Sequence, residues 1–229
     1  MKTIGLIGGM SWESTVTYYQ IINQVVAEKL GGLHSAKCIL YSVNFAEIEQ
    51  LQRNNQWAES AAVLGEAAKK LEVAGADLIV ICTNTMHKVA DMIQAHITIP
   101  LLHIADATIE KLTKQQVSSV ALLGTKYTMT QDFYKSKIID QGIAVHIPEA
   151  ADIEIINTII FHELCRGHVL DESREQYKRV IESLVAKGAQ AIILGCTEIG
   201  MLIKQADVAI PIFDTTIIHA EKAVELAMQ

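Results

Sequence analysis

Short apolar runs alternate with longer segments of helical periodicity along the whole chain. Runs of strand length, rich in Val, Ile and Leu and separated by amphipathic segments, are typical of buried parallel strands joined by helices. Eight strands are predicted, at residues 3–7, 38–43, 78–82, 100–103, 120–123, 143–147, 191–195 and 210–213. The pattern therefore indicates an α/β fold with mainly parallel sheets that are covered by helices on both faces.

The segment 15–30 predicts the first long helix. Its apolar residues recur three or four positions apart, which indicates one buried face: Val16, Tyr19, Ile22 and Val26. Gly31 is suited to ending this helix, since glycine readily adopts the backbone conformation found at helix C-termini. A last helix, from Thr216, is expected to return and pack on the first half of the chain.

A weak internal repeat relates the two halves of the chain. Residues 75–83 align without a gap with residues 188–196, so that Thr83 matches Cys196. Two shorter matches follow in the same order, residues 5–8 with 121–124 and residues 99–103 with 210–214. The common order favours a true repeat, because parallel α/β units share single short patterns by default.

The repeat predicts two pseudosymmetric three-layer α/β/α domains. We expect residues 1–104 together with 216–229 to form the first domain, and residues 105–215 to form the second. Ligands of open α/β sheets bind outside the carboxyl ends of the strands. If the two halves face each other, the active site lies in the crevice between them, and one side chain from each half reaches opposite sides of one carbon.

Composition and charge disfavour several classes of partner. Half of the 229 residues are apolar, 20% are charged and the net charge is −7, with no local concentration of Lys and Arg. Nucleic acids and anionic membranes are therefore unsuited as partners. The first apolar run is too short for a signal sequence, and no later run is long enough to span a membrane. The four cysteines are scattered, which indicates reduced thiols in a cytoplasmic protein: Cys38, Cys82, Cys165 and Cys196.

Cys196 is the strongest candidate for a catalytic side chain. It follows a buried strand and is itself followed by Thr197, Glu198 and a predicted helix start. The amide dipoles of a helix N-terminus would lower the pKa of the thiol, and Glu198 is close enough in sequence to exchange a proton with it. A packing role is the alternative, since most lone cysteines behave as small hydrophobic residues.

Thr83 is the counterpart of Cys196 in the first half. Side chains alternate along a strand, so only one of Cys82 and Thr83 can face the crevice. The repeat favours Thr83 and leaves Cys82 as a packing residue, although an error of one position in the strand boundary would exchange the two. Asn84 and Thr85 offer hydrogen bonds and a helix start suited either to a carboxylate or simply to capping.

Loops with glycine follow the first strand of each half. The amides of Gly9, Met10 and Ser11 in the first half, and Thr125 with the amides after it in the second, are suited to binding an anion. A tight turn between strand and helix explains the same residues equally well. The histidines show no metal-ligand spacing and no lysine is marked as a Schiff base, so the sequence requires neither a metal nor another cofactor.

Four motifs occur together and in one order along the chain: Gly8-Gly9-Met10-Ser11, Thr83-Asn84-Thr85-Met86-His87, Gly124-Thr125 and Gly195-Cys196-Thr197-Glu198. Through them the chain resembles the aspartate/glutamate racemase family over essentially its full length, most closely the aspartate-racemase-like branch. The resemblance implies a racemase that needs no pyridoxal cofactor, is built from two pseudosymmetric domains and commonly forms a homodimer. It also implies a small-molecule amino acid as substrate.

In that family, one Cys before Asn-Thr and another before Thr-His or Thr-Glu exchange protons on opposite faces of the substrate α-carbon. Cys196 matches the second of these, whereas Thr83 stands at the first, with Cys82 displaced by one position. A thiol, with a reference pKa of about 8.5, is a competent base, and a threonine hydroxyl is a poor one. We therefore expect turnover that is slow or unequal in the two directions. The resemblance suggests Cys196 as the base toward the L-enantiomer, with Thr83 delivering a proton to the carbanion.

Two segments bear on substrate specificity. Family members with acidic substrates are expected to hold the side-chain carboxylate with basic residues, from the segment after the second strand and from a helix in the second half. Here Gln52 is the expected contact in the first segment, and Leu164 or Cys165 stands where a lysine is expected in the second. Arg53 and Arg166 are expected to be solvated charges. Homoserine and other neutral amino acids are therefore as credible as aspartate or glutamate.

The remaining polar residues of the motifs are expected to grip the substrate carboxylate and stabilise the enediolate: Asn84, Thr85, Thr125 and Thr197. Met10 and Glu198 are also expected to be substrate-binding residues. Two other functions fit the same pattern. One is a related cofactor-free isomerase or decarboxylase of carboxylates, for which a single cysteine suffices. The other is an amino-acid-binding clamshell protein that has lost catalysis at Thr83.

Overall fold

The computed structural model describes residues 1–229. The chain divides into two compact units, Met1–Ile104 with His219–Gln229, and Ala105–Ile218. The strands are β1 (Ile4–Gly8), β2 (Cys38–Ser42), β3 (Leu78–Ile81), β4 (Leu101–Leu102), β5 (Ser119–Gly124), β6 (Ala144–His146), β7 (Ala191–Gly195) and β8 (Ile212–Asp214). The helices are α1 (Trp12–Leu30), α2 (Phe45–Arg53), α3 (Trp57–Val73), α4 (Ala90–Gln94), α5 (Ile104–Lys114), α6 (Lys126–Thr130), α7 (Asp132–Ile139), α8 (Ala150–His162), α9 (Asp171–Ala186), α10 (Ile199–Leu202) and α11 (Thr215–Ala227). Short 3-10 helices lie at Thr85–Val89, Leu164–Arg166 and Gln205–Asp207.

Each unit contains one four-stranded parallel sheet. The strand order is β2-β1-β3-β4 in the first unit and β6-β5-β7-β8 in the second. The two central strands of each sheet are buried almost throughout, which explains why their sequences are continuous apolar runs. All eight strands predicted from the sequence are present, and the predicted α/β class with parallel sheets is confirmed.

The registers of the two sheets confirm the internal repeat. In the first sheet Ile79 pairs with Gly5. In the second sheet Ile192 pairs with Ala121, and these are the two residues that the repeat matches with Ile79 and Gly5. The edge strands follow the same rule, with Leu101 beside Ile79 and Ile212 beside Ile192. The two halves therefore share one register as well as one order of elements.

Alternate residues at the end of β3 belong to different cores. Cys82 shares a core with Val80 and with residues of α1 and α11. Ile81, which lies between them in the chain, belongs to a second core that includes residues of α3 and α4. Cys82 is fully buried. It packs in this core, and the assignment of Thr83 rather than Cys82 to the substrate stays a prediction.

Cys196 follows the corresponding alternation in the second unit. It shares a core with Leu194, two positions before it. The repeat matches Leu194 with Ile81, so the residue that corresponds to Cys196 lies two positions after Ile81. That residue is Thr83 and not Cys82.

Helix α1 corrects the predicted buried face. It begins at Trp12, after the N-cap residue Ser11, and not at residue 15. Its buried apolar residues lie four positions apart: Tyr18, Ile22 and Val26. Val16 and Tyr19, which were predicted to face the core, are 45% and 52% exposed. The prediction is wrong because Trp12, Val16 and Tyr19 form a second apolar stripe, and a count of apolar spacing does not separate the two stripes.

Helix α11 packs on the first unit, as the sequence predicted. Its apolar residues belong to the same core as those of α1: Ala220, Ala223, Val224 and Ala227. The carbonyl oxygen of Ala227 also accepts a hydrogen bond of 2.7 Å from the amide of Lys2. The C-terminal helix thereby completes the core beside β1 and β3.

Candidate functional site

The end of β7 carries a hydrogen-bonded group of three polar side chains. The thiol of Cys196 donates to Oε2 of Glu198 at 3.0 Å, and Oγ1 of Thr197 donates to the same oxygen at 2.8 Å. All three residues are buried. The Glu198 carboxylate is therefore placed to accept the proton of the Cys196 thiol.

The surroundings of Cys196 raise the pKa of its thiol well above the usual range. Burial is the largest cause, and the carboxylate of Glu198 and the neighbouring Cys165 add to it. The sequence led us to expect the opposite, a pKa lowered by the amides of a helix N-terminus. That expectation is wrong because α10 begins only at Ile199 and has four residues, so its dipole is too small to offset burial.

Two threonines at the start of α11 hold the backbone on both sides of Cys196. Oγ1 of Thr215 donates to the carbonyl oxygen of Leu194 at 2.7 Å, and Oγ1 of Thr216 donates to that of Thr197 at 3.5 Å. The sequence predicts Thr216 only as a helix start. No local pattern identifies these contacts, because the partners lie 21 and 19 residues apart in the chain.

A cavity of about 440 Å³ in the second unit lies between α8 and α9. It is lined by nine residues that include Glu163 and Ser173, whose side chains are joined by a 2.5 Å hydrogen bond. Cys196 does not line this cavity. Since none of the chemically active groups at the end of β7 faces it, we do not assign the catalytic site to this cavity.

Thr83 lies at the end of β3 and is half-buried. Strand pairing continues through Cys82, whose amide donates to the carbonyl oxygen of Ile7 at 2.9 Å. The amide of Thr83 instead turns back to the carbonyl oxygen of Ile81 at 2.9 Å, which ends the strand. Burial raises the pKa of the Cys82 thiol strongly. Of these two neighbours, only Thr83 retains exposed surface for a ligand.

Asn84 and Thr85 directly follow Thr83 and are buried at the start of the 3-10 helix. Gln52, on α2, is also buried and donates through Nε2 to Sδ of Met86 at 3.0 Å. The three candidate ligand-binding side chains of the first unit are thus connected through one short segment. Their binding of a ligand stays a prediction.

The loops after β1 and β5 contain capping side chains. Oγ of Ser11 accepts a hydrogen bond from the amide of Ser14 at 3.3 Å and caps α1. Oγ1 of Thr125 accepts one from the amide of Thr128 at 3.3 Å and caps α6. Capping therefore accounts for one role of each loop, and anion binding stays a prediction for both.

The glycine loop of the first unit is closely packed. Gly9 has a φ of +89°, and a Cβ there would lie 2.2 Å from the carbonyl oxygen of Val43, so only glycine fits. Its amide donates to Oγ1 of Thr15 at 2.8 Å. Met10 is 2% exposed and packs in the core. Any ligand contact of Met10 would therefore involve its backbone.

The basic residues near the predicted specificity segments lie on the surface. Arg53 forms an ion pair with Glu49 in the same helix and is 71% exposed. Arg166 is exposed at the end of its 3-10 helix. Both are solvated charges, as predicted. Leu164 is fully buried and Cys165 half-buried, so the second segment offers an apolar surface where a lysine was expected.

Two buried histidines in the first unit form hydrogen bonds that the sequence did not identify. Nδ1 of His87 lies 2.8 Å from the carbonyl oxygen of Thr83. Nε2 of His219 lies 3.0 Å from the carbonyl oxygen of Leu102, and its Nδ1 lies 2.8 Å from the hydroxyl of Tyr18. Because a carbonyl oxygen only accepts, both imidazoles donate to the backbone, and Tyr18 donates to Nδ1 of His219.

The four cysteines are free thiols. No group of three or more His, Cys, Asp or Glu side chains has an arrangement that could hold a metal ion. None of the helices combines the length and the apolar composition that crossing a membrane requires.

Comparison with known proteins identifies the family of this fold and these motifs. Residues 7–223 match the family model described as Asp/Glu/Hydantoin racemase. The broad specificity amino-acid racemase RacX of Bacillus subtilis strain 168 is 25% identical over 227 residues, which cover 96% of each chain. A crystal structure of a candidate Asp/Glu racemase from Yersinia pestis is 54% identical in sequence, with a TM-score of 0.92. A crystal structure of an aspartate racemase homologue from Pyrococcus horikoshii OT3 is 40% identical, with a TM-score of 0.87. Each comparison covers 100% of both chains. The chain therefore belongs to the Asp/Glu/hydantoin racemase family and is an enzyme of its amino-acid racemase class.

Proposed function

We propose that this enzyme interconverts L- and D-amino acids by moving a proton at the α-carbon, without a cofactor, and that Cys196 and Thr83 are the two proton-transferring residues. The hydrogen bond between Cys196 and Glu198 is the observation that carries the proposal. It couples a thiol to a carboxylate that accepts its proton, which is how a nucleophile or base of this type is activated. The repeat that matches Thr83 with Cys196 supports the second assignment.

In the direction from L to D, the thiol of Cys196 first transfers its proton to Glu198. The thiolate then removes the α-proton, and the electron pair of the C–H bond moves into the substrate carboxylate as an enediolate. Burial and the charge of Glu198 raise the pKa of the Cys196 thiol, so the resting residue is protonated. The thiolate that forms is correspondingly basic, which suits an α-proton that is itself very weakly acidic.

The hydroxyl of Thr83 delivers a proton to the opposite face of the carbanion, and the alkoxide left behind takes a proton from water. The protonated Glu198 then gives its proton to the hydroxide that forms, which restores the resting enzyme. In the reverse direction an alkoxide would have to act as the base, and a threonine hydroxyl provides very little of it near neutral pH. Since the two enantiomers have equal free energies, kcat/KM is the same in both directions. The asymmetry therefore appears in kcat and KM separately and in isotope exchange.

The substrate carboxylate is proposed to be bound by polar side chains in the loops that follow β3, β5 and β7: Asn84, Thr85, Thr125 and Thr197. Hydroxyl and amide donors that are already oriented stabilise the negative charge that develops on the enediolate. The backbone of Met10 is proposed to contribute from the loop after β1. Glu198 is proposed to lie among the substrate-binding residues and to act chiefly on the thiol.

The proposed substrates are small and medium amino acids, aspartate and glutamate as well as neutral ones such as homoserine. Gln52 is the proposed contact for the substrate side chain, because its buried amide group suits acidic and neutral partners alike. The exposure of Arg53 and Arg166 and the burial of Leu164 support a range that extends beyond acidic substrates. The relatives carry both descriptions, a broad specificity racemase and an Asp/Glu racemase.

We also propose that each compact unit is a domain supplying one of the two proton-transferring residues, and that the protein acts as a homodimer in the cytoplasm. The apolar stripe of Trp12, Val16 and Tyr19 on α1 supports an association surface. The free cysteines support a reducing compartment. Sedimentation velocity tests the dimer: we expect a dimer for the wild type and a monomer for Tyr19→Glu, and a monomeric wild type would contradict it.

One experiment distinguishes racemisation from the other functions that this scaffold supports. The protein is incubated in deuterated water with L-aspartate, L-glutamate, L-homoserine or L-methionine, and the α-proton is followed by NMR together with the optical purity. We expect loss of the α-proton signal with loss of optical purity for at least one of them. Saturable shifts without exchange would indicate a binding protein, and release of a carboxyl group would indicate a decarboxylase.

A further inference from the structure

Two consecutive carbonyl groups at the end of β3 accept hydrogen bonds from buried side chains. Oγ of Ser14, on α1, lies 3.3 Å from the carbonyl oxygen of Cys82 and 3.1 Å from that of Ser11, so the two carbonyl groups share its one hydrogen. Nδ1 of His87, in the following 3-10 helix, lies 2.8 Å from the carbonyl oxygen of Thr83. With the amide of Thr83 bonded to Ile81, the peptide groups on both sides of Thr83 are held.

The protonation state of His87 follows from its surroundings. Burial and the neighbouring His103 keep the pKa of His87 well below its usual range, so the ring is neutral. A neutral imidazole has one N–H, and the contact with the Thr83 carbonyl requires it on Nδ1. Nε2 then has a lone pair, and it is buried without a hydrogen-bond partner. An apolar side chain would avoid this cost to stability, so packing alone does not account for a histidine here.

The His87 ring is held in place by neighbours from several elements. The ring of His103, which follows β4, meets it edge-on with centroids 4.7 Å apart. The ring of His219, on α11, meets it at 5.5 Å. His219 is in turn held between the Tyr18 hydroxyl and the Leu102 carbonyl oxygen, at 2.8 and 3.0 Å. The His87 imidazole, which donates to the Thr83 carbonyl, is therefore positioned by contacts that involve α1, β4 and α11 as well as its own short helix.

We propose that His87 is a positioning residue for Thr83: its Nδ1–H fixes the Thr83 carbonyl and thereby the direction in which the Thr83 hydroxyl points. The inference rests on the proposed function, because it concerns how Thr83 delivers its proton. Rotation of this peptide group changes the backbone angles of Thr83 and moves Oγ1. A weak acid such as a threonine hydroxyl tolerates little misplacement, since a displacement of about 1 Å costs proton transfer about a hundredfold in rate.

A matched pair of variants isolates the Nδ1 donor. In His87→Asn the side-chain amide nitrogen falls near the place of Nδ1, and in His87→Gln it falls near the place of Nε2. Both variants lose the ring and its contacts with His103 and His219, so a purely structural role affects them alike. We expect His87→Asn to keep most of the rate of D-enantiomer formation and His87→Gln to lose about tenfold to a hundredfold of kcat with little change in KM.

Isotope exchange provides a second readout in the same variants. Deuterium enters the L-substrate through Cys196, whereas the D-enantiomer forms through Thr83. We expect His87→Gln to keep deuterium incorporation into the L-substrate while inversion decreases. Equal losses of inversion in the two variants, or parallel losses of exchange and inversion in His87→Gln, would overturn the inference and leave the proposed function intact.

The hydrogen bond itself is tested without any turnover. Nitrogen-15 NMR of the wild type should show His87 neutral with the proton on Nδ1, and the Thr83 carbonyl carbon should shift in His87→Gln but not in His87→Asn. A proton on Nε2 would overturn the inference alone. A wild type that exchanges no α-proton from any amino acid would overturn the proposed function and this inference together, so the two failures are distinguishable.

Discussion

The thiol of Cys196 and the carboxylate of Glu198 are joined by a hydrogen bond of 3.0 Å within the buried end of β7. The same carboxylate has two opposing effects. Its charge adds to burial in raising the pKa of the thiol, and its oxygen is the proposed acceptor of the proton that the thiol must lose. We therefore expect the reactivity of Cys196 to be controlled by a side chain two residues away and not by a helix dipole.

Replacing Glu198 with Gln separates these two effects. Without the negative charge we expect the pKa of the Cys196 thiol to decrease, because one cause of its elevation is removed. Without a proton acceptor we expect racemisation to fall about a hundredfold. The pH dependence of iodoacetamide alkylation, measured at Cys196 by mass spectrometry, reports the pKa independently of the other cysteines.

Glu163→Gln is the matched control for this charge change. Glu163 bonds Ser173 and is not among the groups that raise the pKa of Cys196. We expect its alkylation profile at Cys196 to match the wild type. A Glu198→Gln protein whose alkylation midpoint stays unchanged or moves to higher pH would refute the role given to Glu198.

The two buried cysteines that end the equivalent strands are expected to differ completely in function. Cys196→Ser should lower α-proton exchange by at least about a thousandfold, since a hydroxyl replaces the thiol that we propose as the base. Cys82→Ala should keep the wild-type rate and lose about 1 kcal/mol in the free energy of unfolding, because it removes buried volume from the core. Cys82→Ser, assayed beside it, tests the face assignment: complete loss of activity there would mean that Cys82 faces the substrate.

The buried histidines of the first unit make stability depend on pH. Burial lowers the pKa of His219 to about 3, below its usual value of 6.5, and His87 is shifted in the same direction. Below pH 6.5 the unfolded chain therefore binds protons that the folded protein does not, and stability decreases as the pH falls toward 3. The limiting loss is about 1.4 kcal/mol per pH unit for each histidine.

Urea denaturation at several pH values between neutral and mildly acid conditions measures this dependence. His219→Gln removes the titrating group and keeps a donor for the Leu102 carbonyl oxygen. Over the same pH interval we expect the free energy of unfolding to decrease less in the variant than in the wild type. The difference corresponds to the one proton that His219 binds only in the unfolded chain. Parallel curves for the two proteins would show that His219 is not buried in its neutral form.

The strand pattern and the repeat could be predicted because both are local properties of the sequence. An apolar run records burial on both faces of a sheet, and the equivalence of Thr83 and Cys196 needed only the aligned segments and no knowledge of helix packing. The sheet pairings of Ile79 and Ile192 have the register that this alignment requires. Strand alternation then accounts for the burial of Cys82.

Contacts between distant segments could not be predicted in the same way. Tyr18 and His219 are separated by 201 residues, and nothing near either residue indicates the other. The buried face of α1 could not be predicted for a related reason. Tyr18 and Tyr19 are chemically alike, and only packing against the core determines which of them is buried. The pKa of Cys196 could not be predicted either, because a strand end beside Thr197 and Glu198 suggests a longer helix than the four residues of α10.

We propose that Cys196 is an effective base on one face of the α-carbon and that Thr83 is not an effective base on the other. Deuterium exchange started separately from each enantiomer measures this directly, before equilibrium is approached. For the wild type we predict deuterium incorporation with retention into the L-substrate faster than inversion, and almost no incorporation with retention into the D-substrate. For Thr83→Cys we predict faster turnover. We also predict deuterium incorporation with retention of configuration into both the L- and the D-substrate. Two results would contradict this assignment. One is equal deuterium incorporation with retention of configuration into both enantiomers by the wild type. The other is a Thr83→Cys protein whose incorporation into the two enantiomers is the same as that of the wild type.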